Sequence, residues 1–174
     1  MAGTTASTTK PSIVQRHKIV AFYGVPTTTG TGDNATTTIA YKRMKKFTQL
    51  SQSKNPIEYS RQYVDEPFSV NDVVGYAPSI SYAFDKHKNL EVQTDIVKIT
   101  NGEALGDDAV RSIVIVDTET NEAYQRDFSV VPNTEGDNVN VYTYSGTFKC
   151  KGELVKGTAA TSDSFESVTF TAAT

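Results

Sequence analysis

The stretch KNPIEYSRQYVDEPFSVNDVVGYAPSISYAFD, residues 54–85, is the most informative about the architecture, because it holds two strand patterns on either side of an acidic, proline-marked segment. In residues 57–64 the bulky side chains fall mostly on alternate positions, which is typical of a strand with two different faces. Residues 79–84 alternate more cleanly, and their large apolar face should pack on a core. The two faces are Ile80, Tyr82 and Phe84, and Ser79, Ser81 and Ala83.

Between the two strand patterns lie residues 65–76, DEPFSVNDVVGY. This segment is too long for a tight hairpin turn, for which about two to five residues suffice. It is also too apolar to stay solvated as a disordered linker. Two interpretations remain open, a lid over the protein's own core and a contact with another subunit. The residues predicted for the subunit contact are Asp65, Glu66, Pro67, Phe68, Val70, Val73, Val74 and Tyr76.

The composition favours a β protein without strong attraction for nucleic acid. The chain has 174 residues, a net charge of −3 and no Trp, and its nine Tyr and eight Phe provide bulk for a core. A charge this small gives little counterion-release binding to DNA. Cys150 is the only cysteine, so no internal disulfide can form. No apolar run reaches the about 20 residues of a membrane helix or resembles a secretory signal, so we expect no membrane insertion and synthesis in a reducing cytoplasm.

The rest of the chain predicts about eight strands in all, one helix and an N-terminal arm. Residues 1–18 are polar, which predicts an arm that becomes ordered only on assembly, and residues 19–174 are predicted to form a single β domain. The Thr- and Gly-rich residues 24–38 should form the loop of a long hairpin, and residues 110–116 should be buried on both faces. The further strands are predicted at residues 19–23, 39–47, 110–116, 122–131, 142–155 and 165–170.

Residues 94–101, TDIVKITN, form the one persuasive helix pattern. Thr94 is the expected N-cap, and Asp95 lies favourably at the positive end of the helix dipole. Gly102 or Gly106 can end the helix. Because the helix is short, its apolar side chains must pack on a sheet to stabilise it.

The motifs predict no catalytic, cofactor or metal site. The only histidines, His17 and His87, lie in the arm and in a polar bend, and the adjacent carboxylates of residues 107–108 would point to opposite faces of a strand. The GxG of residues 30–32 lacks the third glycine and the following helix of a dinucleotide site. The basic residues 42–46 lack aromatic platforms along their length, so ion pairing is favoured over nucleic-acid binding.

Short motifs in a fixed order over residues 41–157 carry a resemblance to a known family. The motifs are LSQSKNP (50–56), VDEPF (64–68), DVVGY (72–76), the strand 79–84, DIVKIT (95–100), GDDAVR (106–111), RDFSVVP (126–132), EGD (135–137) and YTYSGTFK (142–149). In this order they resemble the tail tube proteins, or major tail proteins, of long-tailed bacteriophages. Each motif alone is weak, but the ordered series is specific.

The resemblance implies an antiparallel β sandwich curled toward a barrel, with one short flanking helix, a long hairpin loop and an extended N-terminal arm. It implies a structural protein and not an enzyme: hexameric rings stack into a hollow tube in the virion tail, and double-stranded DNA passes through the tube during genome ejection. Open edge strands, which invite pairing with another chain, fit this assembly. The implied partners are further copies of the chain and other tail proteins such as tape measure, baseplate and terminator.

In such a tube, strands 57–64 and 79–84 are predicted to pair and to line the lumen. Short polar and acidic side chains suit that position, because rings of Lys or Arg would retain phosphates. The polar face of residues 142–155 is the alternative lining. The predicted lumen-facing residues are Glu58, Ser60, Gln62, Ser79, Ser81 and Ala83.

A second hypothesis from a different class is a monomeric β-sandwich binding module on a virion, which would bind a host surface or a carbohydrate. An enzyme is a more distant third hypothesis, because no catalytic constellation is visible in the sequence. The size of the purified protein separates the first two hypotheses. A tube subunit should form rings or fibres at high concentration, whereas a binding module should stay monomeric.

Overall fold

The computed structural model of the protein describes residues 11–30, 36–161 and 163–173, in which it has eleven β-strands, one α-helix and two short 3-10 turns. The strands are β1 (Ile19–Thr29), β2 (Thr36–Arg43), β3 (Phe47–Ser53), β4 (Pro56–Gln62), β5 (Ser69–Tyr76), β6 (Ser79–Asp85), β7 (Val110–Asp117), β8 (Glu122–Glu135), β9 (Thr143–Cys150), β10 (Val155–Ala160) and β11 (Ser167–Ala172). The helix is α1 (Glu91–Asn101). The mainly β class is confirmed. Parts of the predicted arm (residues 1–10) and of the predicted hairpin loop (residues 31–35) lie outside the described residues.

Six strands close into a barrel in the order β10-β11-β2-β1-β7-β8, and β10 pairs back onto β8. Every pair of neighbours is antiparallel. Closure removes the open edges that a flat sheet of these strands would have. The barrel interior is filled by Val20, Phe22, Val114, Val116, Ala123, Ala159 and Val168.

The sheet continues from β8 through β9 and β6 to β3, and this extension packs with α1 over the outside of the barrel. The larger of two hydrophobic cores lies between this extension, α1 and the outside of the barrel. In it the rings of Tyr82 and Phe148 stack, with centroids 4.4 Å apart. Strand β7 separates the two cores, because Ile113 faces the larger core and Val114 faces the barrel interior. The expectation that residues 110–116 are buried on both faces is therefore confirmed.

Strand β6 has the two faces that its sequence pattern predicts. Ile80, Tyr82 and Phe84 are at most 2% exposed and lie in the larger core. Ser81 and Ala83 are half-buried on the opposite face. The clean alternation of this strand therefore predicted its orientation correctly.

Gly146 of β9 lies opposite Tyr82 and leaves room for its side chain. A Cβ atom at this position would lie 2.4 Å from the Tyr82 hydroxyl oxygen and 2.5 Å from the Val131 carbonyl oxygen. The carbonyl belongs to the backbone of β8, so we expect Gly146→Ala to lower the free energy of unfolding by about 1–3 kcal/mol. Gly75→Ala is the control, since its Cβ would meet only Ile57, at 3.5 Å or more. Urea unfolding measures both variants, and equal midpoints would contradict the expectation.

The helix begins about one turn earlier than the sequence pattern predicts. α1 starts at Glu91, and its N-cap is Leu90, whose side chain makes no capping hydrogen bond. Thr94, the predicted N-cap, lies inside the helix, where its hydroxyl donates to the Leu90 carbonyl at 2.9 Å. The N-cap prediction was wrong because Val92 is buried and extends the apolar stripe toward the N-terminus. The helix ends at Gly102, as predicted.

The strand boundaries near the N-terminus also differ from the predictions. The predicted loop at residues 24–38 is largely strand, because β1 runs to Thr29 and pairs with β2 from Thr36. Thr is a good strand former, and its hydroxyls add cross-strand contacts such as the 3.1 Å contact between Thr28 and Thr37. Strand β3, which is rich in Gln and Ser, was missed because it lacks an apolar alternation.

In the C-terminal half, strand β8 is longer than predicted, the next predicted strand is divided in two, and the last strand is shifted by two residues to Ser167–Ala172. β8 continues through Pro132 to Glu135. Its pairing with β9 shifts register between Pro132 and Thr134, which accommodates a proline that has no N–H group to donate. The single strand predicted at residues 142–155 is divided, because residues 151–154 separate β9 from β10.

Candidate assembly surfaces

Strands β4 and β5 form a two-stranded sheet of their own, outside the main sheet. The two strands pair antiparallel from Pro56 opposite Tyr76 to Gln62 opposite Ser69. The segment of residues 65–76 is therefore not a loop between two central strands, as its sequence suggested. Its second part is strand β5, and only residues 63–68 form the turn. We call this element the β4–β5 hairpin.

The β4–β5 hairpin leaves its apolar side chains in solvent. Every residue of its two strands is exposed except Gly75. Phe68 at the turn is 75% exposed, and Val74 on β5 is 63% exposed. The hairpin therefore does not act as a lid over the core of its own protomer. The large apolar side chains exposed on it are Ile57, Tyr59, Tyr63, Val64, Phe68, Val70, Val73, Val74 and Tyr76.

The first three residues predicted for subunit contact lie at the hairpin turn. Asp65, Glu66 and Pro67 are all exposed between the two strands. The structure thus brings the predicted contact residues together on one protruding element. An exposed apolar patch with a polar rim of this kind is typical of an interaction site.

A second surface is the outer face of the sheet region β8-β9-β6-β3, which we call the polar face. Side chains pointing away from the core on these strands are mostly short. One row across the face runs Ser51, Ser81, Thr147 and Val131, as the strand registers show. This face also includes the polar side of β9 that the sequence indicated as the alternative lumen lining.

The predicted lumen-facing residues are divided between these two surfaces. Ser81 and Ala83 lie on the polar face. Ser79 is only 8% exposed, because Asn55 contacts it. The side-chain amide of Asn55 donates to the Ser79 hydroxyl at 3.1 Å. Glu58, Ser60 and Gln62 lie on β4, in the hairpin.

The predicted pairing of the two lumen strands was wrong. β6 pairs with β3 and β9, whereas β4 pairs with β5. The reason is that β4 and β5 follow each other along the chain closely enough to form a hairpin, and sequential strands often pair. Sequence reasoning therefore missed β3 as the true neighbour of β6.

The sheet region behind the polar face has two edges without a strand partner among the described residues. β3 pairs only with β6. On β8, pairing with β7 stops at Ser129 opposite Val110, so residues 130–135 have β9 as their only neighbour. Arg16 contacts the β3 backbone, and its guanidinium donates to the Leu50 carbonyl at 3.2 Å. Edges of this kind are ready to pair with another chain.

A buried ion pair fixes α1 against the barrel and so positions the larger core behind the polar face. The Arg111 guanidinium donates to both carboxylate oxygens of Asp95, from Nε at 2.7 Å and from Nη2 at 3.1 Å. The Tyr23 hydroxyl donates to the same carboxylate at 2.7 Å. Burial, together with the Asp95 charge, raises the pKa of Tyr23 well above its usual value, so the phenol stays a neutral donor.

The residues considered for other chemistry have ordinary structural contacts. In the basic segment, Lys42 pairs with Glu91 at 3.8 Å and Lys45 pairs with Glu166, in line with the ion-pairing interpretation. The Nδ1 atom of His87 lies 2.6 Å from the Asp85 carbonyl oxygen. In the parts of the chain that the structure describes, no cluster of three or more His, Cys, Asp or Glu side chains could hold a metal ion.

A search for helices that could cross a membrane finds none over the described ranges.

Solved structures that resemble the chain include the following two. A chain in the tail of an empty gene transfer agent (GTA) particle, a structure computed with helical refinement and C6 symmetry, superposes with a TM-score of 0.54 at 12% identity, covering 82% of this chain and 97% of that one. A chain in the 6-fold symmetrised baseplate of the anti-feeding prophage (AFP) gives a TM-score of 0.45 at 9% identity, covering 85% and 96%. The second likeness is too weak to support an argument.

No protein-family model and no curated protein matches the chain. At 12% identity the likeness to the GTA tail chain is one of fold. The chain thus shares its fold with a GTA tail chain, in line with the resemblance of the sequence motifs to tail proteins.

Proposed function

We propose that this chain is the structural subunit of a phage tail tube, that hexameric rings of it stack into a hollow tube, and that the tube conducts double-stranded DNA during genome ejection. The observation that carries the proposal is the sheet region β8-β9-β6-β3, with an unpaired edge on each side and a face of short polar side chains. The fold that it shares with the GTA tail chain supports the same role.

Ring closure follows from the two free edges. The β3 edge of one copy pairs with residues 130–135 of β8 in the next copy, and repetition of this head-to-tail contact closes a ring. Each pairing supplies backbone hydrogen bonds to groups that are otherwise left to water, and it removes edges that would promote uncontrolled aggregation. The polar faces of all copies then form one continuous inner wall.

The polar face suits a wall along which DNA must move. Its short hydroxyl side chains hydrate well, and it carries charges of both signs, with Lys149 opposite Ser79 at one end of the β6–β9 pairing and Asp85 opposite Thr143 at the other. A wall with many cations would hold phosphates through salt-dependent contacts. In this proposal Ser81 and Ala83 face the lumen. Glu58, Ser60 and Gln62 would reach the lumen only where the hairpin extends to it, and their placement there stays a prediction.

The remaining parts of the proposal follow from the tube itself. The protein acts in the virion tail after synthesis in the host cytoplasm, and it contacts tape measure, baseplate and terminator proteins at the tube interior and ends. It has no enzymatic role. The β4–β5 hairpin supplies apolar contacts between copies through Phe68, Val73 and their exposed neighbours.

DNA conduction is tested by Ser81→Lys, which places one cation per copy on the proposed lumen wall. We expect normal folding and tubes of normal length, but genome ejection slowed by about tenfold at low salt and less at high salt, because phosphate contacts weaken as salt rises. Ser81→Asn is the control, since it adds volume without charge. Timed ejection from particles carrying each change is the measurement. Equal ejection rates for the two variants at low salt would remove Ser81 from the lumen.

A further inference from the structure

A groove of about 280 Å³ lies at the base of the β4–β5 hairpin, where strands β7 and β8 face the segments flanking the hairpin. Apolar side chains form much of its wall, and two cations, Lys54 and Arg126, also line it. No Asp or Glu lies among its lining residues in the described part of the chain. We call it the cationic groove. The lining residues used below are Lys54, Ile115, Tyr124, Arg126, Phe128 and Leu154.

The two cations of the cationic groove have few partners within the protomer. Nε of Arg126 is buried and has no hydrogen-bond partner among the described residues. Nη1 of the same side chain donates only to the Cys150 sulfur, at 3.5 Å. Lys54 lies over the Tyr124 ring, with Nζ 5.3 Å from the ring centroid, and the same Nζ donates to the Gln52 side-chain oxygen at 3.4 Å. A guanidinium nitrogen that is buried without an acceptor is costly, so these groups point to a carboxylate that the protomer alone does not supply.

The turn of the β4–β5 hairpin has the complementary chemistry. Asp65 and Glu66 are exposed carboxylates with no salt-bridge partner among the described residues. They are flanked by Val64 and Phe68, which are 109% and 75% exposed. An acidic pair between two apolar side chains matches a groove with cations between apolar walls, in both charge and hydrophobicity.

The turn cannot reach the groove of its own protomer. Strand β4 has seven residues and therefore spans about 23 Å, and the groove lies beside the opposite end of the hairpin, at Tyr76 and Pro78. The turn that occupies the groove must therefore come from a second copy of the chain. A contact between two different surfaces of identical copies is head-to-tail, and it repeats to form rings or filaments.

We propose that the hairpin turn of one copy docks in the cationic groove of the next, with Asp65 and Glu66 pairing with Arg126 and Lys54. The docking rests on the proposed tube function and states which surfaces join the copies. Val64 and Phe68 cover the apolar wall at Ile115 and Leu154. The four charged side chains would thus be shielded from water by apolar contacts around them. This arrangement is typical of the residues that contribute most to binding at an interface.

Charge reversal tests the docking. Lys54→Glu and the double change Asp65→Lys, Glu66→Lys should each raise the protein concentration needed for tube formation by at least about tenfold. Lys54 and the turn residues are exposed, so the protomers should fold normally. The triple variant that combines both reversals should assemble at close to the wild-type concentration. Lys88→Glu is the control, an exposed lysine outside the groove that should have no effect. Sedimentation and negative-stain microscopy measure assembly.

A disulfide cross-link reports the contact directly and separates two kinds of failure. In a Cys150→Ser background, Val64→Cys with Leu154→Cys should form covalent oligomers under mild oxidation, whereas Val64→Cys with Lys88→Cys should not. If the wild type forms tubes but the first pair does not cross-link and the charge reversals assemble normally, the docking is overturned and the tube function stands. If the wild type forms neither rings nor tubes, the tube function fails. The docking survives that result only if cross-linked oligomers still form.

Discussion

Replacing Phe68 and Val73 together with Ser is expected to abolish tube formation and to leave the protomer folded. The two side chains are 75% and 54% exposed on the β4–β5 hairpin, so they contribute little to the stability of the protomer. In an interface they would be buried, and loss of such anchors commonly costs about 2 kcal/mol or more each. A combined loss of about 4 kcal/mol raises the concentration needed for assembly by about 1,000-fold, which is beyond practical protein concentrations. Negative-stain microscopy over a concentration series, with circular dichroism to verify folding, is the measurement.

The matched control for this prediction replaces exposed apolar residues elsewhere. Leu105 and Val139 are 83% and 99% exposed and lie off the hairpin. The double change Leu105→Ser, Val139→Ser removes a comparable apolar surface, so a general effect of surface hydrophobicity would affect both pairs alike. Tubes formed by the Phe68, Val73 variant at the wild-type concentration would show that the hairpin does not join the copies.

Asp95→Ala is expected to lower the free energy of unfolding by about 3–5 kcal/mol. The side chains of Arg111 and Asp95 are only 14% and 10% exposed, so removal of the carboxylate leaves a poorly solvated guanidinium without its anion. The Tyr23 hydroxyl loses its acceptor at the same time. For a protein of this size the loss corresponds to a fall in Tm of about 10 °C. Differential scanning calorimetry is the measurement.

Glu119→Ala is the control for the buried ion pair. Glu119 pairs with Lys18 at 3.5 Å, but these side chains are 53% and 37% exposed. Solvent screens such a pair, and we expect a loss of less than about 1 kcal/mol. If the two variants unfolded at the same temperature, the Asp95–Arg111 pair would not be what holds α1 on the barrel.

Alternation in the sequence predicted the faces of β6 but misled on β4. Both strands place bulky side chains on alternate positions. In β6 the apolar face is buried because β3 and β9 flank the strand and α1 contributes to the same core. In β4 the same pattern lies on a protruding hairpin with β5. The alternation predicts that one face of the strand will be buried. It does not predict whether the surface that covers this face belongs to the same chain or to another one.

The features that sequence reasoning missed depend on contacts distant in the chain. Strand β3 has few apolar residues, and it forms because β6 offers it a backbone edge. The cationic groove joins Lys54 to Arg126, which are far apart in sequence and carry no motif. The start of α1 was misplaced because burial of Val92 outweighs the capping preference of Thr94. The mainly β fold was predictable because the strand patterns and the ordered series of motifs extend over residues 41–157.

Electron cryomicroscopy of the purified wild-type chain at high concentration shows how the copies join. We expect hollow tubes built from hexameric rings, in which β3 of each copy pairs with residues 130–135 of β8 in the next and the polar face lines the bore. Particles that stay monomeric at every concentration would contradict the tube function. Rings joined through other edges, with the polar face turned outward, would contradict the assignment of the inner wall.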